Sequence, residues 1–400
     1  MHLRARAKLL GMGVAALTAV PLAIIGPAGV SQAAAGSGQS TAHSCATPAR
    51  GHASCQAIVR TDIAAAKTVA PNATPSGYGP SSLQSAYKLP SSTAGGGRTV
   101  AIVDAYDDPT AEADLAVYRA QYGLPACTTA NGCFKKIDQN GGTSYPAKDG
   151  GWAQEISLDI DMVSAICPNC HILLVEAKTS SFANLGAAVN RAAATPGVVA
   201  ISNSYGGSDA SDSSYGSYYN HPGIAVTASS GDSGYGASYP ASSHYVTAVG
   251  GTTLNTASTT RGWTETAWSG AGSGCSSYNT ALSGAASFAT GCSKRAEADV
   301  SAVANPSTGV AVYDSTAYQG SSGWMVFGGT SVSSPIIASV YGLAGNTGSI
   351  DNNYPYTHST SLFDVTSGSN GSCSTSQWCK ARTGWDGPTG LGTPNGTGAF

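Results

Sequence analysis

Charge is what this chain has least of. Only 10% of its 400 residues are Asp, Glu, Lys or Arg, against about a quarter in an ordinary soluble domain. The formal net charge is -3, and no basic stripe runs along the sequence. Phosphate-backbone binding needs clustered Lys or Arg, so a nucleic-acid partner is not expected. Beyond the N-terminal region, no continuous apolar run is long enough for a membrane span. In place of charge there are 51 glycines and abundant Ser and Thr, which predicts a surface of hydroxyls and backbone rather than ion pairs. The length suffices for one large α/β domain with a sizeable core. No internal repeat and no clear second domain can be discerned.

The N-terminus has its own order. Arg4, Arg6 and Lys8 precede an apolar run from Leu9 to Ile25, and Ser31, Ala33, Ala34 and Ala35 follow. Basic, apolar, then small is the order of a secretory signal peptide, here residues 1–35. A membrane anchor is the alternative, opposed by Pro21, Gly26, Pro27 and the lack of following stop-transfer charges. The expectation is therefore a secreted, extracellular protein, free of the membrane once the signal is removed. The cysteines agree. All ten fall in close pairs: Cys45/Cys55, Cys127/Cys133, Cys167/Cys170, Cys275/Cys292 and Cys373/Cys379. An even count in an exported chain favours disulfides, with short local loops the simplest connectivity. Cys167-Pro-Asn-Cys170 also suits a zinc knuckle or a redox centre, but no second pair at similar spacing completes a knuckle.

Residues 36–76 read as a short propeptide or arm with a helical stretch near Gln56–Val69. From Thr99 short apolar runs alternate with helical patterns. Strands are predicted at Thr99–Ala105, His171–Glu176, Val198–Ser202, Ile224–Ala228 and His244–Val249. Short ones follow at Val310–Tyr313 and Met325–Phe327. Helices are predicted at Thr110–Tyr122, Gly151–Ile166, Phe182–Ala194 and Ser331–Leu343. Such alternation implies a mostly parallel sheet covered on both faces. Residues 251–300 read as extended loops or short antiparallel pieces.

Three segments carry chemistry. Gly328-Gly329-Thr330-Ser331-Val332-Ser333-Ser334-Pro335 places a serine at a helix start after a glycine turn. Unpaired N–H groups and the positive helix end favour an alkoxide and an oxyanion there. An ordinary N-cap serine is the plainer reading. In Trp152-Ala153-Gln154-Glu155-Ile156-Ser157-Leu158-Asp159, Glu155 and Asp159 are four apart and share a helix face, with Asp161 well around from both. Converging in a cleft, two such acids hold their first proton tightly and exchange it with a serine. Exposed on a surface, they are merely an acidic face. Ser229-Ser230-Gly231-Asp232-Ser233-Gly234 follows a strand, where α/β sheets carry sites. Asp232 is either a turn residue or, if protonated, a hydrogen-bond donor to an oxyanion.

In this order the segments resemble the sedolisins, the serine-carboxyl peptidases, over about Gly77 to Pro394. The resemblance implies an α/β, subtilisin-like fold: a predominantly parallel central sheet flanked by helices, with residues 77–400 as the catalytic domain. It implies Ser331 as nucleophile in Gly-Thr-Ser-x-x-x-Pro, Glu155 as general base and acid, Asp159 as its support, and Asp232 as the oxyanion acid. It also implies calcium near the C-terminus. Asp364 and Asp386 would supply carboxylates there, and Val365, Arg382 and Gly384 backbone carbonyls, the oxygen donors calcium prefers; without metal these segments are two acidic turns. Ser202-Asn203-Ser204-Tyr205-Gly206 matches the segment beside a bound peptide, with Tyr205 and Gly206 as a wall, or with Tyr205 packed against the core edge. Protein or peptide substrates, a monomer and acyl-enzyme hydrolysis at acidic pH follow.

The sequence departs from relatives in places. Thr99–Asp104 resembles the strand carrying the subtilisin aspartate, yet the His-Gly-Thr segment of that group is absent. Asp104 either contacts Glu155 or is structural. Family precursors carry a long N-terminal prodomain, whereas only about forty residues separate the signal from Gly77 here. A catalytically lost binding or structural protein is the other class. A general α/β hydrolase is disfavoured by the missing Gly-x-Ser-x-Gly elbow with a catalytic histidine.

Overall fold

A computed structural model of the chain describes residues 39–68, 73–349 and 351–400. The expected signal segment 1–35 lies outside them. The chain begins with β1 (Thr41–His43), β2 (Ser54–Cys55) and β3 (Ile58–Arg60), then α1 (Pro80–Ala86) and β4 (Thr99–Ala105). α2 (Ala111–Gln121), β5 (Phe134–Asp138), α3 (Gly150–Ile166), β6 (His171–Ala177), α4 (Phe182–Ala193), β7 (Val198–Asn203) and β8 (Tyr205–Ser208) follow. After a short α5 (Asp212–Tyr215) come β9 (Ala225–Ser229), β10 (Ser238–Tyr239), β11 (Thr247–Thr256), β12 (Trp263–Ala267), β13 (Gly274–Cys275) and β14 (Ala296–Glu297). β15 (Val300–Val303), β16 (Val310–Tyr318) and β17 (Ser321–Gly328) lead into α6 (Thr330–Ala344).

The central sheet has eight strands in the order β12-β11-β9-β7-β4-β6-β5, with β15 also on β11. Every pairing in it is parallel except β11–β12. β4 explains why its sequence is apolar at nearly every position. Val100 and Ile102 pack into one core cluster with Ile156 of α3 and Ile336 of α6. Ala101 and Val103 pack into another with Leu185 and Val189 of α4. A strand covered on both faces has no polar side to show.

Several elements differ from expectation. The stretch expected as helix near Gln56–Val69 contains β3, and β2 lies just before it. Cys55 is tied to Cys45, and the β-branched Ile58 and Val59 pair with Gly328 and Phe327; tertiary pairing overrides helical pattern here. The strand expected at His244–Val249 starts at Thr247 and runs to Thr256. The His244 and Tyr245 N–H groups are already taken by Asp212 Oδ2 and Ser243 Oγ. β16 and β17 form a longer hairpin than expected, with a register shift between Asp314 and Tyr318. β5 carries Lys135 and Lys136 and was hidden by them; as an edge strand it pairs with β6 alone. All five cysteine pairs are disulfides, Cys167–Cys170 among them. Among the described residues no helix is long and apolar enough to cross a membrane.

Candidate active site

Helix α3 begins at Asp149, whose side chain caps it by accepting from the N–H groups of Gly151 and Trp152. From Gly151 to Ile166 every residue is buried. Glu155 and Asp159 therefore do not form a surface acidic face. They lie inside, one turn apart, on a helix packed against α6 and β16. Asp161 points elsewhere, accepting from the Tyr313 N–H at 3.0 Å.

Ser331 is the second residue of α6 and fully buried. Gly329 turns the chain into the helix at φ 97°, a conformation that suits glycine. The Ser331 hydroxyl donates to the Ser204 carbonyl at 3.1 Å. Pro335 sits deeper in the helix than a first-turn proline. Lacking an N–H, it leaves the Ser331 carbonyl without its i+4 donor, and the Ser204 hydroxyl approaches that carbonyl at 3.4 Å. The same hydroxyl lies 2.8 and 2.7 Å from the two Asp159 oxygens. Ser204 thus joins the end of β7 to both the nucleophile candidate and the acid pair.

Asp232 follows the carboxyl end of β9. Its Oδ1 accepts from the Thr330 N–H at 2.7 Å and the Thr330 hydroxyl at 2.8 Å. Its Oδ2 is buried with no partner. Burial pushes its pKa up to about 7 against the pull of Thr330. A carboxyl in this state carries a proton on a free oxygen at acidic pH. Asp104, near the end of β4, is wholly buried with both oxygens unpartnered, and burial raises its pKa to about 8. Glu155 is pushed well up by burial first and then by the Asp104 charge, while Ser331 beside it pulls down. Asp159 is raised by burial, then by Asp104 and Glu155, with Ser204 opposing. Glu155 holds no well-formed hydrogen bond in this conformation, which leaves its oxygens free to take a proton.

Among the described residues no histidine is hydrogen-bonded to this group, although His43 lines the pocket that Asp232 opens into. His221 bonds the Tyr218 carbonyl, His244 the Thr280 carbonyl, and His171 opens β6 at the surface. Ser204 and Thr330 are the participants that sequence reading passed over. Each stands inside a segment singled out for another residue, and only the fold shows what its hydroxyl reaches. Tyr205 is packed in the core, with its hydroxyl on Asn203 Oδ1 at 2.7 Å, and its backbone pairs with Cys55 of β2.

The expected calcium donors lie together near the C-terminus. Asp364 Oδ2 accepts from the Gly384 N–H, and Asp386 from Arg382 and Thr389. Burial lifts the Asp386 pKa to about 7, and Asp364 is close enough to add to the rise. Among the described residues no backbone N–H is bonded to the carbonyls of Val365, Arg382 or Gly384. Two carboxylates and three free carbonyls form an oxygen set that fits calcium. Among the described residues no group of three or more His, Cys, Asp or Glu is placed to hold a metal; this set has two.

No family model matches the chain. Kumamolisin from Bacillus sp. (strain MN-32) is 29% identical over 367 residues, covering 81% of this chain and 63% of the relative. The chain therefore spans less than two thirds of that protein's length. Pseudomonas sedolisin, a serine-carboxyl proteinase solved with two molecules of pseudo-iodotyrostatin, superposes with a TM-score of 0.66 at 26% identity. That match covers 81% of this chain and 96% of the other. The chain is a homologue of the sedolisins. Its subtilisin-like fold is that of the sedolisins, with the parallel sheet and flanking helices described above. Sphericase, at 19% identity and a TM-score of 0.51, over 81% of this chain and 99% of its own, shares the fold.

Proposed function

We propose that this sedolisin homologue is an exported endopeptidase in which Ser331, Glu155, Asp159 and Asp232 perform acyl transfer. The observation that carries this reading is the convergence of the buried Ser331, Glu155 and Asp159 with the half-buried Asp232, whose free Oδ2 is itself buried, with no histidine hydrogen-bonded to them among the described residues. In it, Glu155 takes the Ser331 proton as Oγ attacks the scissile carbonyl carbon. Asp159 holds Glu155 through their shared proton, and Ser204 holds Asp159. Asp232, protonated, donates from Oδ2 to the developing oxyanion, while Thr330 fixes its other oxygen. Glu155 then gives its proton to the leaving amine, and water hydrolyses the Ser331 ester by the reverse exchange. The scheme needs Asp232 protonated, so it favours acidic pH. Export is supported by the N-terminal order and the five disulfides. Calcium, held by Asp364, Val365, Arg382, Gly384 and Asp386, would serve to fasten the C-terminal segment.

Digestion of a peptide library from pH 3 to 8, with products identified by mass spectrometry, tests this. Cleavage that vanishes in Ser331→Ala, with kcat/KM highest below neutrality, is the expected result. No cleavage by either protein would favour an inert binding protein on the same fold, and a kcat/KM maximum near pH 9 would refute the proton assignment.

A further inference from the structure

The amino end of the central sheet carries a second concave surface. Helix α6 separates it from the candidate site. Ser331 stands at the start of α6, and Tyr341 near its end lines the surface, about 15 Å away at about 1.5 Å per residue. Three depressions join there. One of about 390 Å³ holds Tyr278 and Asn279. It shares His244 and Tyr245 with one of about 310 Å³ that reaches His221. That one shares Asp351 with a third, of about 440 Å³, beside Tyr354. The walls are fixed in place. Asn279 is buried, its Nδ2 donating to the carbonyls of Ala210 and Ser242 and its Oδ1 accepting from the Asp212 N–H. The Ser276 hydroxyl accepts from the N–H groups of Tyr278 and Asn279, and the Cys275–Cys292 disulfide closes the loop on which they stand. Loops held this way present Tyr245 and Tyr278 at 37% and 53% exposure. Rings that are placed before a ligand arrives cost little to order on binding.

Charge sets the class of occupant. Among the described residues no Lys or Arg lines any of the three depressions; Lys294 bonds the Tyr278 carbonyl without lining them. The carboxylates are already engaged, Asp212 by the His244 N–H and the Tyr239 hydroxyl, Asp351 by the Asn353 N–H. An anionic polymer therefore finds no permanent cation to pair with. A peptide strand adds to a free sheet edge, whereas the walls here include the amino ends of β9 and β11, which lie inside the sheet. What remains is ring surface and uncharged polar groups. His244 Nδ1 bonds the Thr280 carbonyl and His221 Nε2 the Tyr218 carbonyl. A carbonyl only accepts, so each of these nitrogens donates, and in the neutral ring the other nitrogen keeps its lone pair. Burial lowers the His221 pKa and holds that ring neutral further into the acid range. A pyranose matches both features, with a C–H face that packs on an aromatic ring and a girdle of hydroxyls that donate or accept. We propose that this surface is a carbohydrate site. It takes a neutral oligosaccharide of pyranose units, with ring faces on Tyr278 and Tyr245 and hydroxyls on His244 and His221. Because it lies at the other end of α6 from Ser331, a polysaccharide held there leaves the groove beside Asp232 open.

Native affinity electrophoresis of the full-length Ser331→Ala protein tests this, in gels cast with hydroxyethylcellulose, laminarin or arabinoxylan. A gel with polygalacturonate and one without polymer serve as controls. Retardation by at least one of the three neutral polysaccharides is expected, with Kd raised about tenfold in Tyr278→Ala and in Tyr245→Ala. Tyr278→Phe keeps the ring face and should keep most of the affinity. Tyr278 is more than half exposed, so its variants should fold as the parent does, which circular dichroism checks. No retardation by any neutral polysaccharide overturns the proposal. So does retardation by polygalacturonate alone, which would mark ionic attraction, and so does binding that both alanine variants leave unchanged. Displacement of the bound polysaccharide by a short-peptide library, with the same dependence on Tyr278, would make the surface a peptide site and overturn the carbohydrate assignment. The measurement needs no catalysis, so its failure would leave the peptidase reading standing, and the failure of that reading would leave this site standing.

Discussion

At the scale of the residue, Asp232 is where the proposed chemistry is most exposed to test. Its Oδ1 is saturated by Thr330 and its Oδ2 is bare, so protonation state alone decides whether it helps or repels an oxyanion. With a pKa near 7, the donor is present at acidic pH and lost as pH rises through that value. Asp232→Asn keeps an acceptor toward Thr330 and puts a permanent N–H donor on the other side. Its kcat/KM should keep measurable activity and lose the decline near neutrality. Asp232→Ala removes the donor altogether and should cost about 10²–10³ in kcat. An Asp232→Asn enzyme with the parent's pH–rate profile would show that another group sets that limb.

At the scale of the element, what the sequence revealed depended on whether a pattern was local. Glu155 and Asp159 were legible because i,i+4 spacing alone puts them on one helix face. Asp232 and Ser331 were legible because a strand end and a glycine turn are read from adjacent residues. β3 was not, since only its partner strand makes Ile58–Arg60 extended. The consequence of Pro335 was not either: a freed Ser331 carbonyl becomes meaningful once β7 brings Ser204 beside it. The two short runs expected to hold calcium do meet, through the Asp364–Gly384 and Asp386–Arg382 hydrogen bonds, and calcium there is a proposal. Melting the Ser331→Ala protein in EDTA and in excess calcium tests it. Calcium should raise Tm, because a ligand at about 100 times its Kd adds about 2.7 kcal/mol, and Asp386→Ala should abolish the response. Equal Tm values in both buffers would remove calcium from the account.

At the scale of the whole molecule, the low charge and the buried acids have one joint consequence. Burial raises Asp104, Glu176 and Asp314 to about 8, Asp232 to about 7 and Asp108 to about 6. Glu176 and Asp108 have Lys136 to offset this, at 3.2 Å for Glu176, while Asp104 and Asp314 lie among other carboxyls. Between an unfolded carboxylate's pKa of about 4 and these folded values, the native state holds protons that the unfolded state has released. Stability then falls with rising pH, by roughly 1.4 kcal/mol per pH unit for each proton so held. The stabilisation is whole at and below about pH 4 and fades toward pH 8, the reverse of a fold built on surface carboxylate–lysine pairs. Ser331→Ala protein, which cannot digest itself under the proposed mechanism, should lose several degrees of Tm between pH 4 and 8 at fixed ionic strength and calcium. About 1 kcal/mol moves Tm by roughly 2–4 °C even in a domain of 150–250 residues, so the sum over several acids is well within reach of a thermal scan. A Tm that stays level or climbs across that range would mean the interior acids are ionised in the native state, and with them Asp232.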